Sequence, residues 1–196
     1  LAQDYGVQPV LIGSAQEGYL AEAYAQLAPG TAINLVGEVP MALLPSFFQV
    51  VGALVGPDTG PTHVAAMSGC RVVGLYFANS WVHETGPYGD DHIVIQAKLP
   101  CSPCFLRTIC DDRPCAEMIR PEHVVAALAL MGVLGERETG DSVISAPDGT
   151  LEVFRSVIDQ SGRQRYRRLV PQEESPEDLL CDALEMAATA VLAPRL

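Results

Sequence analysis

Basic residues are scarce in this chain. Lysine and arginine number 12 of 196 residues against 24 aspartates and glutamates, a formal charge of −12. With no basic excess to neutralise phosphates, nucleic acid is excluded as the main partner. A small anionic ligand is not excluded, because backbone N–H groups at a helix start can bind one locally. Long hydrophobic runs are also missing: the longest apolar stretches fall far short of a membrane span, and no signal peptide is visible. Low-complexity sequence is missing too, although 17 glycines and 15 prolines mark many tight connections. There is no initiator methionine at Leu1. That is the expectation for a fragment of a longer protein, so the missing signal says little about location. What the chain does have is apolar substance. Hydrophobic residues make up 48% of it, enough for a core in one domain of ordinary size plus an appendage.

Strands and helices alternate through the first two-thirds. "PVLIG" (9–13) reads as a buried strand, and "SAQEGYLAEAYAQLA" (14–28) as a helix stopped before Pro29-Gly30. "AINLVG" (32–37) is a second strand, and "MALLPSFFQVV" (41–51) a helix that places Pro45 in or near its first turn. "ALVG" (53–56) and "RVVGLYF" (71–77) are further strands, joined by a short helix over 61–69. This alternation indicates an α/β fold with a parallel sheet covered on both faces. Ligands of such sheets bind at the carboxyl ends of the strands. A turn-rich "ETGPYGDDH" (84–92), a strand "IVIQA" (93–97), a cysteine-rich loop (100–115) and a closing helix (120–134) complete a first domain, 1–134. From 135 to 196 follow a polar linker, a β-hairpin over 150–170 turning near Gln160 to Gly162, and a helix over 175–192 capped by Ser175 with Pro176 at its first position. That extension is expected to be a separate small unit or a dimerisation element.

The chemistry concentrates in "GPDTGPTHVAAMSG" (56–69), which has the order strand, glycine-rich turn, helix. Gly56 and Gly60 permit a sharp turn, and Pro61 suits the first helical position. The free N–H groups and the helix dipole favour a phosphate there, with His63 in the first turn. Asp58 puts a negative charge at that mouth. It can accept hydrogen bonds from sugar hydroxyls beside the phosphate. Alternatively, Asp58 or Thr59 simply caps the helix and His63 packs or meets solvent.

"GPDTGPTHVAAMSGCRVVGLY" together with "TGPYG" (85–89) and "PCSPCFLRTIC" (100–110) resembles glycosyltransferase family 9, which includes the ADP-heptose:lipopolysaccharide heptosyltransferases. The resemblance covers about residues 9 to 134. It implies the C-terminal, donor-binding half of a two-domain glycosyltransferase B fold, a Rossmann-like parallel sheet with flanking helices. The other half, lying upstream, would bind the acceptor and supply the base, and the basic residue that meets the diphosphate would also lie upstream of Leu1. The implied reaction is inverting transfer of heptose from ADP-heptose to a lipopolysaccharide core acceptor at the cytoplasmic face of the inner membrane, with peripheral membrane association and no cofactor beyond the donor. By the same resemblance Asp58, Thr59 and Gly60 lie against the donor's sugar and diphosphate, with His63 beside them as an assistant. Glu17 takes ribose hydroxyls, and Val39 and Met41 line the adenine pocket. After the fourth strand, where the family has a small Gly-Pro-Thr-Asp turn, this chain has Phe77-Ala78-Asn79-Ser80-Trp81. The sugar it takes is therefore an open matter. A different nucleotide sugar, or a non-catalytic nucleotide-binding module, are the rival readings.

Other residues have two readings each. Ser14-Ala15-Gln16-Glu17 also fits a capping box, with Glu17 bonded back to Ser14. Cys101, Cys104, Cys110 and Cys115 form a C-x2-C-x5-C-x4-C array that could hold structural zinc or an iron–sulfur cluster, form two disulfides, or pack as reduced thiols. Cys70 and Cys181 are expected to be buried thiols. Tyr88 either edges the donor cleft or covers the core from its turn. His83 and His92 are expected on surface loops, and Arg163, Arg165 and Arg167 along one strand face that either meets an anionic lipid or partner or is simply solvated.

Overall fold

The computed structural model describes residues 2–104, 110, 112–134 and 150–169. The helix expected over 175–192, and Cys181 within it, lie outside the described residues.

Seven strands are found among the described residues: β1 Val10–Leu11, β2 Ile33–Asn34, β3 Ala53–Pro57, β4 Arg71–Tyr76, β5 Ile93–Ala97, β6 Leu151–Ile158 and β7 Gln164–Arg168. The helices are α1 Ala2–Tyr5, α2 Gly18–Leu27, α3 Leu44–Phe48, α4 Gly60–Met67, α5 Val82–Thr85, α6 Pro114–Met118 and α7 Pro121–Leu130. Two expected long helices each begin with a 3₁₀ turn, Ala15–Glu17 before α2 and Met41–Leu43 before α3. Pro45 falls in the first turn of α3, where its missing N–H costs no bond.

The expected parallel alternation is present, with one difference. β3, β4 and β5 run parallel in one sheet, while β1 and β2, among the described residues, pair in parallel only with each other, through Val10↔Ile33 and Leu11↔Asn34. Ile33 and Asn34 are both exposed, so β2 is an outer strand with little cover.

Neighbouring residues of β4 show how the layers form. Strand side chains alternate between faces, so Val72 and Val73, both fully buried, serve different cores. Val72 packs with Leu44 and Phe48 of α3 and with Ala65 and Ala66 of α4. Val73 packs with Ile93, Ile95, Leu151 and Val153 against Ala126, Ala127 and Leu128 of α7. Each large aliphatic or aromatic side chain buried this way contributes about 1.5–3 kcal/mol.

The hairpin is not the separate unit expected from the sequence. β6 pairs antiparallel with β5 over Ile93↔Arg155 to Ala97↔Leu151, and β7 pairs antiparallel with β6. The physical reason lies in β5, all five residues of which are buried. A buried strand with an open edge leaves backbone groups unpaired, and the apolar Leu151, Val153 and Phe154 of β6 supply both the pairing and the cover. The turn falls where expected, closed by Asp159, whose Oδ1 accepts from the Ser161 amide at 2.8 Å and the Arg163 amide at 3.0 Å.

Candidate functional site

β3 ends at Pro57 and α4 begins at Gly60, so Asp58 and Thr59 make the whole connection at the carboxyl end of a parallel strand. The strand end is fixed from within. Buried Thr62 donates to the Pro57 carbonyl at 2.6 Å. Thr59 has the extended backbone of an N-cap, yet its side chain makes no capping bond.

Asp58 spends its carboxylate elsewhere. Oδ1 lies 3.1 Å from His63 Nε2, and Oδ2 accepts from the Thr85 hydroxyl at 2.6 Å. A carboxylate only accepts, so Nε2 of His63 must carry the proton. Thr85 is itself held by Tyr76, whose hydroxyl donates to the Thr85 carbonyl at 2.6 Å. Burial first, and then the charge of Asp58, push the pKa of Tyr76 upward, which keeps its phenol a donor. The Asp58 side chain is 15% exposed and that of His63 39%, so the pair opens to solvent on the histidine side. Each oxygen of Asp58 has one anchor, and each keeps lone-pair capacity for a further donor.

The start of α4 offers less than the sequence promised. Pro61 has no N–H, and the amides of Thr62 and His63 turn back to the Thr59 carbonyl at 3.0 and 3.4 Å. The Gly60 amide, which no intrahelical partner can satisfy, remains to meet an anion together with the helix dipole. Asp58, Thr59, Gly60 and His63 are therefore brought together.

Glu17 sits at the equivalent end of β1. Its Oε2 accepts from the Ser14 amide at 2.7 Å and the Ser14 hydroxyl at 2.8 Å, and these bonds lower its pKa. The capping interaction thus exists. Both bonds fall on Oε2, so Oε1 can still face a ligand. Gly37, with φ +83, lies so close to the turn after β1 that a Cβ would come 3.2 Å from the Ala15 backbone. The Gly37 amide also donates to the Gly13 carbonyl at 2.9 Å. The segment bearing Val39 and Met41 is thereby set beside the turn bearing Glu17. Val39 packs on the core with Leu44 and Phe48, whereas Met41 is 64% exposed.

The loop after β4 carries Ala78 in a left-handed conformation, φ +59, and the Ala78 carbonyl accepts from the Cys104 amide at 2.8 Å. The cysteine loop is thus tied to the carboxyl end of β4. All four of its cysteines are free: Cys115 is buried, Cys104 half-buried, and Cys101 and Cys110 exposed. The Cys104 thiol is pushed up in pKa by burial, and then by Cys101, Cys115 and Cys110. Among the described residues no three such side chains are arranged as a metal-ligand group.

Three expectations are corrected. His92 is not a surface residue: it is 4% exposed, with its backbone bonded both ways to Ser156 of β6. His83 is half-buried in α5, edge-on to Phe154 and Tyr166 at 5.5 and 6.1 Å. Tyr88 does not cover the core, being 58% exposed on its turn. Cys70 is buried as expected. Of the arginine row, Arg165 pairs with Asp159 at 3.0 Å, Arg167 is exposed, and Arg163 precedes β7. Thr85 and Tyr76 were not singled out by sequence reasoning. The signal for Thr85 was available in "TGPYG", where the aromatic drew attention and the threonine makes the contact.

A family model described as glycosyltransferase family 9 (heptosyltransferase) matches residues 1–112, more than half of the chain. A lipopolysaccharide core heptosyltransferase, OpsX, from Haemophilus influenzae is 30% identical over 76 residues, which is 38% of this chain and 22% of that protein. The crystal structure of the glycosyl transferase family 9 from Veillonella parvula DSM 2008 is similar with a TM-score of 0.55 at 20% identity, a likeness of fold. It covers 64% of this chain and 36% of that one. The chain therefore matches about a fifth of the curated relative and about a third of the solved one. With the β3–α4 turn, the α/β fold and more than half its length matched, this chain belongs to glycosyltransferase family 9.

Proposed function

We propose that the chain forms the donor-binding part of a glycosyltransferase that moves heptose from ADP-heptose to a lipopolysaccharide core acceptor. The observation that carries this reading is the Asp58 carboxylate. It is fixed by His63 and Thr85 at the carboxyl end of β3, two residues before the start of α4. A bare phosphate site has no use for that charge, whereas a sugar next to a diphosphate presents hydroxyls that need an acceptor. The diphosphate would lie at the Gly60 amide and the α4 dipole, which oppose the negative charge growing on the departing nucleotide. His63 would hold Asp58 through Nε2 beside the diphosphate. Glu17 would take ribose hydroxyls through Oε1, and the Val39–Met41 segment would line the base.

In this reading the other half of the family architecture binds the acceptor and supplies its deprotonating base, and transfer inverts the anomeric centre. The setting is the cytoplasmic face of the inner membrane. Support for the heptose and the lipopolysaccharide comes from the Haemophilus relative, which bears that description. Titration calorimetry of the full-length protein with ADP, UDP and GDP, then ADP-heptose, tests it. Tighter binding of ADP than of the other two, and of ADP-heptose than of ADP, is expected. A preference for UDP or GDP would reassign the donor, and no nucleotide binding at all would end the reading.

A further inference from the structure

The β6–β7 hairpin lies outside the residues matched to the family, yet it is fastened to the turn that follows Thr85, the residue bonded to Asp58. Tyr166 of β7 donates its hydroxyl to the Pro87 carbonyl at 3.2 Å. Its ring rests on Gly86 so closely that a Cβ there would fall 2.3 Å from the phenol carbon, which explains a glycine at that position without any demand on φ. Gln164 clasps Gly89 from both sides: Oε1 accepts from the Gly89 amide at 2.7 Å, and Nε2 donates to the Gly89 carbonyl at 3.2 Å. Asp90 accepts the Ile158 amide, and the Asp91 amide donates to the Ser156 carbonyl. The whole "GPYGDD" run is thus fastened to the hairpin. Thr85 is the residue just before it. Tyr76 grips the Thr85 carbonyl from the sheet, and the Thr85 hydroxyl ends on Asp58.

We propose that Thr85 is the positioning residue for Asp58, and that the hairpin sets Thr85 through Tyr166 and Gln164. The proposal rests on the donor reading above. A carboxylate held at one oxygen can still turn about its Cβ–Cγ bond. Anchors on both oxygens, from α4 on one side and from the α5 end on the other, fix its plane. Its remaining lone pairs then point where sugar hydroxyls must arrive, and acceptor geometry of that kind decides whether a hydroxyl is bound or merely near. Thr85 touches no ligand in this arrangement; it acts through Asp58. The family motif at 85–89 gains a role by this route. So does the chain beyond it, because recognition of the sugar depends on a hairpin that docks from outside the matched region.

The test uses Thr85→Val, Thr85→Ser and Tyr166→Phe in the full-length protein, with dissociation constants for ADP and ADP-heptose measured side by side. Thr85→Val removes the hydroxyl at nearly constant volume and should weaken ADP-heptose about tenfold, the scale of one hydrogen bond to a charged group. ADP should stay within about twofold, since it lacks the sugar that Asp58 reads. Thr85→Ser restores the donor and should recover ADP-heptose binding. Tyr166→Phe should give a smaller loss of the same selectivity, about threefold. Equal weakening of ADP and ADP-heptose, or no effect of Thr85→Val on either, overturns the proposal. If Thr85→Val does not fold, Thr85→Ala and Tyr166→Phe decide by the same criterion. Unsubstituted protein that binds no nucleotide sugar better than its nucleotide removes the donor reading and the proposal with it. That failure is seen before any variant is made, so the two are distinguishable.

Discussion

Asp58 carries two readings that a single substitution separates. Its bonds to His63 and Thr85 bypass the α4 helix end, where the N-cap position belongs to Thr59. Asp58→Ala should therefore reduce ADP-heptose affinity in the full-length protein at least tenfold more than ADP affinity, by calorimetry. Equal losses would make the residue structural. Glu17 gives the opposite balance of expectations, because its Oε2 is committed to Ser14. Glu17→Gln should lower the melting temperature by a few degrees, on the scale of a helix cap, and should also weaken ADP through the ribose. A melting-temperature loss with unchanged ADP affinity would leave Glu17 a cap alone. His92 makes a pH-dependent contribution. Burial lowers its pKa from the ordinary 6.5, and the backbone of Tyr88 and the charges of Asp90 and Asp91 oppose this only in part. The folded state then binds fewer protons than the unfolded one. The contribution is complete above about pH 6.5 and is lost as pH falls through the folded value. Denaturant titrations from pH 7.5 to 5 should show stability declining, and His92→Gln should flatten that decline.

Among the elements, the short α3 buries two large side chains from few residues. It has five residues, of which Leu44 and Phe48 are buried against α4 and β4. Phe48 is 1% exposed, so Phe48→Ala should cost roughly 3–5 kcal/mol, read from urea unfolding. The sequence already shows most of these elements. β5 has the expected bounds, the hairpin turn lies at the expected residues, and Pro45 marks the start of α3. Those were local signals: a run of β-branched residues, a glycine turn, a residue without an N–H. What local signals do not convey is pairing. Nothing in "LEVFRSVI" says that its partner is β5, more than fifty residues earlier, because the match is made by an open buried edge. The same limit hid Thr85 and misplaced His92. Each owes its environment to a segment remote in the chain, Asp58 in one case and Ser156 in the other.

For the molecule as a whole, the boundary drawn near residue 135 from composition does not separate two structures. The hairpin beyond it shares a core with β4, β5 and α7, through Leu151 and Val153. It also shares a second core with Tyr76, Val82 and Val94, through Phe154. Polar groups reinforce that seam. Glu152, 3% exposed, receives Arg168 at 2.9 Å and Lys98 at 3.5 Å, while Gln96 links it to the start of α5 by accepting the Val82 amide at 2.8 Å. A buried carboxylate so placed is costly to uncover, since removing its partners would strand a charge away from water.

The clasp of Gln164 on Gly89 has a consequence for the time domain. Gly89 belongs to a turn, and turn amides ordinarily exchange with solvent deuterium almost freely. Here the amide is committed to a side chain on another element at 2.7 Å, so it exchanges only when that clasp opens. Its exchange rate should accordingly be slow for a turn, and should quicken in Gln164→Ala while amides of α3 and α4 keep their own pace. Followed by mass spectrometry or NMR, that single hydrogen becomes a clock for how often the clasp opens.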